Sequence, residues 1–565
     1  MINVMDSLAA HMQSIIQEQA RQLNVTVDFS TLTPLLELPK DPGHGDLATT
    51  AAMKLARAFK FPPKKIAELL VSAFQESAPL CEIVDSIDIA GPGFINITLK
   101  QSAIITELTS IIEAGSSIGN NNAVHGERIL LEFVSANPTG PLNAVSARAA
   151  AIGDILANIL NKSGAVVHRE FYVNDFGNQV NLLGESVKAR YCEQLGLPSS
   201  FPENGYHGEY IKDIASELIE ERGNKLADKD TPFFAEYAIK RNVSLQKRDL
   251  EVYGVAFDEW YSEKTVHERN LLALSFQKLK ANGYIFEHDG KWWFRSTDFG
   301  DDNDRVVIRE NGIPTYFMAD IAYHQTKYDR NFNRLIDIWG PDHHGYIPRL
   351  KGALQALSHP PESFSVLIVQ QVNLIKDGVP MKMSKRAGNI VLMEDVIEEV
   401  GKDAARFFFV MRTSDSQLDF DLDLARKQTA DNPCFYVQYA HARIHSIYRK
   451  YEEQGGSIQK LDFSTIRYDL LSAPEELMLI KKMGLFPQII ESCAQTLDIH
   501  HLPYYLYELS SLFHAYYNLG KDRPELRIVT ENDEETRARI GLVTGLRIVL
   551  HEGLRILGVS APENM

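Results

Sequence analysis

Between residues 129 and 160 the chain runs from a short apolar segment, 129–134, through the turn Asn137-Pro138-Thr139-Gly140-Pro141, into an almost uninterrupted apolar stretch, 144–160. A buried strand, a tight turn and a buried helix in that order open a nucleotide-binding α/β domain. The middle of the chain is therefore expected to hold a parallel sheet.

A length of 565 residues exceeds what one core organises; at about 100–200 residues per domain it calls for three or four units. Upstream, residues 1–22 place Met5, Leu8, Met12, Ile15 and Ile16 at helical spacing, and 84–88 and 93–99 have the β-branched content and Gly/Pro punctuation of short strands. The stretch 113–126, rich in Gly, Ser and Asn, reads as a linker. Downstream, charged helical segments fill 177–282, and strand-like pieces return at 292–295, 305–309 and 335–338. From Leu424 onward helical periodicity prevails, broken near Pro433, Pro503 and Pro524, with a stripe of Ile540, Val543, Leu546, Leu550, Leu554 and Leu557. The expected fold is a multidomain α/β protein. It has an N-terminal α+β domain (1–105), a Rossmann-like parallel-sheet domain with a helical insertion (106–425) and an all-helical C-terminal bundle (426–565).

No apolar run reaches membrane-spanning length, and the first residues lack the basic flank and cleavage site of a signal peptide. Cys81, Cys192, Cys434 and Cys493 lie far apart, so neither a disulfide framework nor a zinc site is expected, and a reducing cytoplasm is the natural location. A net charge of −17 argues against non-specific nucleic-acid binding. One local exception is Lys54, Arg57, Lys60, Lys64 and Lys65, which follow one another between Asp46 and Glu68 without an intervening acid; this track is a candidate RNA contact. Asp298-Phe299-Gly300 mimics a kinase triplet but stands in an acidic loop without the other kinase motifs, and there is no Walker lysine.

The most specific chemical signal is Lys382-Met383-Ser384-Lys385, after an apolar strand (365–369) and a Lys376-Asp377-Gly378 turn. Two ammonium groups on one loop can follow the phosphates of ATP as charge develops on the leaving pyrophosphate. In this setting the sequence resembles the signature loop of class I aminoacyl-tRNA synthetases, and 379–390 resembles the arginyl branch. The segment from Glu132 to Leu142 agrees with it. There the resemblance breaks: where the family shows His-x-Gly-His at a helix start, this chain has Asn143-Ala144-Val145-Ser146. Neither Asn143 nor Ser146 can become cationic, and Val145 puts a branched side chain where a glycine lets backbone approach adenine.

What the resemblance implies is an arginyl-tRNA synthetase that forms arginyl-adenylate from L-arginine and Mg-ATP, then transfers the acyl group to the 2′-hydroxyl of the terminal adenosine of tRNA(Arg). Lys382, Ser384, Lys385, Asn143 and Ser146 would serve catalysis. Pro138, Thr139, Gly140, Asn143, Ser146, His344 and Met383 would hold ATP. Tyr316, Asp320 and Glu263 would receive the guanidinium, whose planar donors demand carboxylate acceptors. Ser135, Asn137, Asp342 and His343 would surround the α-amino end. Transfer RNA would meet the basic track and the helical end, where Tyr436, Tyr439 and Met565 are the candidates. No protein-bound metal is expected, since adjacent His343 and His344 have no third ligand nearby in sequence. A monomer is expected. Two alternatives remain open at this point: a class I synthetase of another specificity, and a tRNA-binding relative without catalysis, suggested by Asn143–Ser146.

Overall fold

The structure, a computed structural model, describes residues 2–32, 35–37, 39, 42–381 and 391–565. Lys382, Met383, Ser384 and Lys385 lie outside the described residues.

The N-terminal part opens with α1 (Ile2–Gln22), which buries Met5, Leu8, Met12 and Ile16 as their spacing predicts, with Ile15 at the margin. There follow β1 (Leu47–Thr49), α2 (Ala51–Phe59), α3 (Pro63–Gln75), α4 (Ala78–Ile83), β2 (Val84–Ala90), β3 (Phe94–Leu99) and α5 (Gln101–Ala114). The strands form an antiparallel sheet in the order β1-β3-β2. Strand β1 carries too few residues to show a period of two, which is why sequence patterning passes over it.

The central part begins with β4 (Arg128–Glu132), α6 (Ala144–Lys162) and β5 (Val166–Val173). Helices α7 (Asn178–Gln194), α8 (Glu209–Arg222) and α9 (Thr231–Val252) form the insertion and have a core of their own. Next come β6 (Glu259–Ser262), α10 (Glu263–Glu268), α11 (Leu271–Ala281), and a hairpin sheet of β7 (Ile285–His288), β8 (Lys291–Phe294) and β9 (Arg305–Ile308). The main sheet resumes after α12 (Tyr316–Asp329) with β10 (Arg334–Trp339), α13 (Ile347–Ala356) and β11 (Phe364–Ile368). All five main strands are parallel, in the order β11-β10-β4-β5-β6. Strand β6 corrects the purely helical reading of 177–282: only four residues long, with Trp and Tyr between polar ends, it gives no run that stands out from its helical flanks.

A smaller sheet, β13-β12-β14, joins β12 (Val372–Lys376), β13 (Val379–Pro380) and β14 (Leu418–Asp421), with α14 (Met393–Val400), α15 (Lys402–Phe409) and α16 (Leu422–Arg426) around it. Two buried arginines tie these pieces to α6. Arg148 donates to the carbonyls of Gln370 (3.1 Å), Ser416 (2.9 Å) and Thr413 (2.9 Å); Arg406 meets Asp154 (2.5 Å) and the carbonyl of Leu557 (2.8 Å). Each satisfies backbone acceptors that burial would otherwise strand.

The C-terminal part is all helix: α17 (Pro433–Glu453), α18 (Pro474–Met483), α19 (Phe486–Thr496), α20 (His501–Asp522) and α21 (Asp533–Leu557). The six apolar residues of the α21 stripe are all buried. Pro433 begins α17 and Pro524 follows α20, but Pro503 sits in the first turn of α20, where a missing N–H costs nothing. Lys481 of α18 reaches Asp46 of the N-terminal part (2.5 Å), whose other oxygen accepts from the Leu99 amide (2.8 Å). No helix among the described residues is long and apolar enough to cross a membrane.

Candidate active site

Strand β4 hands the chain to β5 on one side and pairs with β10 on the other, so a crevice opens at the carboxyl ends of these strands, where open α/β sheets take their ligands. Ser135 follows β4, Asp175 follows β5, Glu263 follows β6, and a short 3-10 helix, Pro341–Tyr346, follows β10. The sheet thus delivers four separate pieces of sequence to one place.

The chain leaves β4 under strain. Val134 has φ 67° and Ser135 φ 36°, and the Ser135 amide bonds the carbonyl of Phe133 (2.9 Å), a tight three-residue turn about a β-branched residue. The turn directs the Ser135 hydroxyl onto Glu132 Oε1 (2.8 Å), and the Tyr172 amide donates to the same hydroxyl (3.0 Å). Helix α6 can pass close behind because residue 153 is glycine; a Cβ there would stand 2.3 Å from the Phe133 ring.

Beyond Ser135 lies an acidic pocket. Glu263 is buried at the start of α10, a helix whose first turn Asp175 caps through the Lys264 amide (3.1 Å) and the Ser262 hydroxyl (2.7 Å). With its amide oriented to satisfy its neighbours, Asn174 donates to Glu263 Oε2 at 2.7 Å. Burial, then the nearby charges of Asp320 and Asp175, push the Glu263 carboxyl up to about 7, against a hydrogen bond with Tyr172. Asp320, near the N-terminus of α12, is also held above the usual carboxylate range by burial and Glu132, opposed by the Tyr346 hydroxyl bonded to it and by His324 and His343. Among the described residues no lysine or arginine pairs with either acid. Two buried carboxyls facing each other without a lysine or arginine partner are costly until such a cation arrives. Tyr316 stands at the mouth, 59% exposed, its hydroxyl against Gly177.

Asp320 is the first of a row. Tyr323, His324, Lys327 and Arg330 follow it at helical spacing on α12 and run down into the sheet. Lys327, fully buried, bonds Glu132 (2.6 Å) and Asp337 (2.9 Å); Tyr323 bonds Glu132 (2.9 Å) and Glu170 (2.6 Å); Arg330 bonds Glu170 (2.5 Å) and Glu259 (2.6 Å). Burial opposes the Lys327 charge, but Asp337, Glu132 and Glu170 outweigh it and hold the ammonium above its ordinary value. Two clusters with metal-ligand chemistry, Glu132-His324-Asp337 and His168-Glu170-Glu259, are thereby served by Lys327 and Arg330 instead. Sequence reasoning stopped at Asp320 and missed this network, together with Tyr172, Asp175 and Tyr346. The available signal was five polar residues, Asp320, Tyr323, His324, Lys327 and Arg330, at helical spacing beside the apolar positions Phe317, Met318, Ala319, Ile321 and Ala322.

On the other side of the crevice, Asn143 caps α6: its side-chain oxygen accepts from the Ser146 amide (3.0 Å) and hydroxyl (3.2 Å). Val145 packs against the core. The 137–140 turn is braced by the insertion, since Asn242 donates to the Pro138 carbonyl (2.9 Å), Gln246 to those of Asn137 (3.2 Å) and Gly140 (2.9 Å), and Tyr210 to that of Thr139 (2.7 Å). Immediately past the lysine loop the chain is stitched to this helix start. The Ala144 amide bonds the Val391 carbonyl (3.2 Å) and the Met393 amide bonds the Leu142 carbonyl (2.9 Å). Asp342, His343 and His344 are exposed on the 3-10 helix, and of these His343 lies near enough to Asp320 to act on its charge.

The candidates for tRNA contact lie apart from the crevice. Lys54, Arg57, Lys60, Lys64 and Lys65 are all exposed on α2, α3 and the turn between them. Tyr436 and Tyr439 belong to an aromatic patch on α17 and α20, with Arg443 lying over the rings of Tyr439 (4.5 Å) and Tyr517 (4.6 Å), and Tyr436 beside His514 (4.5 Å). The C-terminal tail docks on the same α17 through His441 and the Pro562 carbonyl (2.9 Å), and it ends in an exposed Met565.

Three family models match along the chain: "Arginyl tRNA synthetase N terminal domain" over residues 10–99, "tRNA synthetases class I (R), catalytic domain" over 107–417, and "DALR anticodon binding domain" over 437–565. Among curated proteins, the arginine–tRNA ligase of Bacillus subtilis is 44% identical across 99% of this chain and 100% of its own length, and that of Bacillus licheniformis 43% across 100% of both. A Campylobacter jejuni crystal structure described as an arginyl-tRNA synthetase superposes with a TM-score of 0.73 at 33% identity, covering 82% of this chain and 100% of that one. The Thermus thermophilus arginyl-tRNA synthetase shares the fold, with a TM-score of 0.72 at 21% identity over 99% of this chain and 100% of that one.

Proposed function

The chain belongs to the arginyl-tRNA synthetases, and from that premise we propose how its residues divide the reaction. It is an arginine–tRNA ligase. In our reading it works through three parts, 1–105 and 426–565 gripping tRNA and 106–425 performing the chemistry, as a monomer.

Asp320 and Glu263 receive the guanidinium, with Tyr316 closing over it. Ser135, whose hydroxyl proton points at Glu132 and whose oxygen accepts from the Tyr172 amide, offers its remaining lone pair to the α-ammonium, with Asn137, Asp342 and His343 around that end. The arginine carboxylate then attacks the α-phosphate of Mg-ATP; the α–β bridging bond breaks and pyrophosphate leaves, giving arginyl-adenylate. In the second step the 2′-hydroxyl of the terminal tRNA adenosine attacks the acyl carbon and AMP departs. Holding the reactants in line and neutralising developing charge supply the rate. The amides at the start of α6, with Asn143 and Ser146, and the 138–140 turn cradle ATP beside His344. Lys382 and Lys385, with Met383 and Ser384, follow the leaving pyrophosphate.

The observation that carries this reading is the pair of buried acids, Glu263 and Asp320, with which no lysine or arginine among the described residues pairs. Its test is transfer of labelled arginine to tRNA(Arg) with arginine, cysteine and glutamate offered in turn. Arginine alone should be charged, and Lys385→Ala should lower kcat by about a hundredfold, the scale of losing one transition-state charge donor, with the arginine KM little changed. Charging of cysteine or glutamate instead, or full activity in Lys385→Ala, would refute it.

A further inference from the structure

His324 lies one helical turn below Asp320, at the junction of the acidic pocket and the buried network. Its Nδ1 stands 2.8 Å from the Asp320 carbonyl oxygen and its Nε2 stands 2.7 Å from Asp337 Oδ2. A peptide carbonyl only accepts. Asp337 accepts as well: its second oxygen takes a bond from Lys327 (2.9 Å), and although burial works against its charge, Lys327 and His324 hold this carboxyl below its ordinary value. Both ring nitrogens therefore need a proton. The surrounding charge agrees, because the carboxylates Glu132, Glu170, Glu259 and Asp337 face only the cations Lys327 and Arg330 among the described lysines and arginines, an excess of negative charge that favours a further cation at His324. Charges this deep are tolerated only when balanced.

We propose that His324 is a positioning residue, held as an imidazolium, whose charge keeps Asp320 ionised and ready for the guanidinium of arginine. The inference rests on Asp320 receiving that group. It gives the network a task beyond fixing α12. The groups facing Asp320 are Tyr346 and His343 from the 3-10 helix, His324 from its own helix, Glu132 from β4, Tyr172 from β5 and Glu263 from α10. Glu132 and Glu263 are like charges that would protonate it, and His343 is exposed, so its charge is screened by water. His324 is the buried cation of the set. It is rigid, because both ring nitrogens are bonded and the ring packs on Phe364 (5.4 Å). The pocket is thus negative before arginine arrives, so binding need not begin by expelling a proton from Asp320.

The test measures arginine KM and ATP KM of the full-length enzyme from about pH 6 to about pH 9, the span in which the pocket titrates. His324→Gln keeps the bond to Asp337 without the charge, and Asp337→Asn leaves the ring one acceptor and a neutral state. In both, arginine KM should climb more steeply than in wild type as pH falls toward about 6, by at most about tenfold, the ceiling for a one-unit change at Asp320, and should converge on wild type as pH increases, while ATP KM moves less than about twofold. Arginine KM curves parallel to wild type in both variants would overturn the proposal, because a packing defect moves KM at every pH alike. Asp320→Asn separates this from the premise. If it leaves arginine KM unchanged, the pocket reading fails; if it raises KM while the His324→Gln profile stays parallel, only the imidazolium inference fails. Should neither variant fold, wild-type nitrogen-15 histidine spectra decide: one buried ring should carry a proton on both nitrogens, each bonded to an oxygen acceptor, and its absence refutes the assignment.

Discussion

The two halves of the crevice are built in different ways. On the arginine side nearly every polar side chain is held by other side chains: Glu132 accepts from Ser135, Tyr323 and Lys327, Asp320 accepts from Tyr346, and Asp175 fixes the helix that carries Glu263. On the side proposed for ATP the fixed donors are backbone amides at the start of α6, and the side chains there, Asn143 and Ser146, are turned on each other. A guanidinium is planar and needs acceptors placed to a fraction of an ångström, which takes a rigid surround. A phosphate accepts from many directions, so the amides of a helix terminus can hold it without a particular side chain at that helix start.

The sharpest way to break the comparison is to damage the rigid half. Asp320→Asn removes one partner of what becomes a buried charge pair, a loss of roughly 2–5 kcal/mol, so kcat/KM for arginine should fall between about thirtyfold and several thousandfold. ATP KM should stay near wild type, because Asp320 faces the arginine side only. Steady-state pyrophosphate exchange with tRNA present measures both. A loss under about tenfold would mean that the acid is not bound to the guanidinium, and the contrast between the halves would go with it.

Those same differences decide what could be read from sequence. The strand-turn-helix at 129–160 was legible because a fully buried unit leaves a long apolar signature, and α21 was legible through its stripe. The start of α6 was legible as well, since a helix start has a local motif, whereas the paired lysines, though a motif, lie outside the described residues. The arginine half was legible only as far as resemblance reached, to Tyr316, Asp320 and Glu263. Its supports come from β4, β5, β10 and a 3-10 helix, distant in sequence, so Tyr172, Asp175 and Tyr346 gave no local sign. The α12 row did give one, because Lys327 and Arg330 on a buried face demand acids opposite them. Strand β6 fell below notice through its shortness.

A smaller effect sharpens the picture of the acidic pocket. Glu263 is raised from an ordinary carboxylate value to about 7 in the empty fold. Its proton is held more tightly folded than unfolded, so its contribution to stability is full below the unfolded value of 4.5 and is lost as pH rises to about 7. Bound guanidinium favours the ionised form. Arginine KM should therefore be flat above about pH 8 and climb below about pH 7 by up to about tenfold per unit, and Glu263→Gln should remove that slope while raising KM throughout. Calorimetry in buffers of different ionisation enthalpy gives an independent reading, with proton release on arginine binding at pH 6 and little at pH 8. A slope that survives Glu263→Gln would assign the titration elsewhere.

The smallest effect is expected where family resemblance would place the largest. Asn143 stands at the position of a signature histidine, yet its oxygen is committed to the Ser146 amide and hydroxyl, an N-cap for the helix whose amides face ATP. Loss of such a cap costs roughly 0.5–2 kcal/mol of stability. The bonds from Ala144 to Val391 and from Met393 to Leu142 hold the same backbone from the other side, so the helix start should keep its place without the cap. Asn143→Ala should lower Tm by a few degrees and raise ATP KM by less than about fivefold, with arginine KM untouched, as expected when backbone rather than side chain meets the phosphates. A drop in kcat as large as that of Lys385→Ala would show that the Asn143 amide itself touches the reacting phosphates, and the ATP half would then be no less dependent on a single side chain than the arginine half.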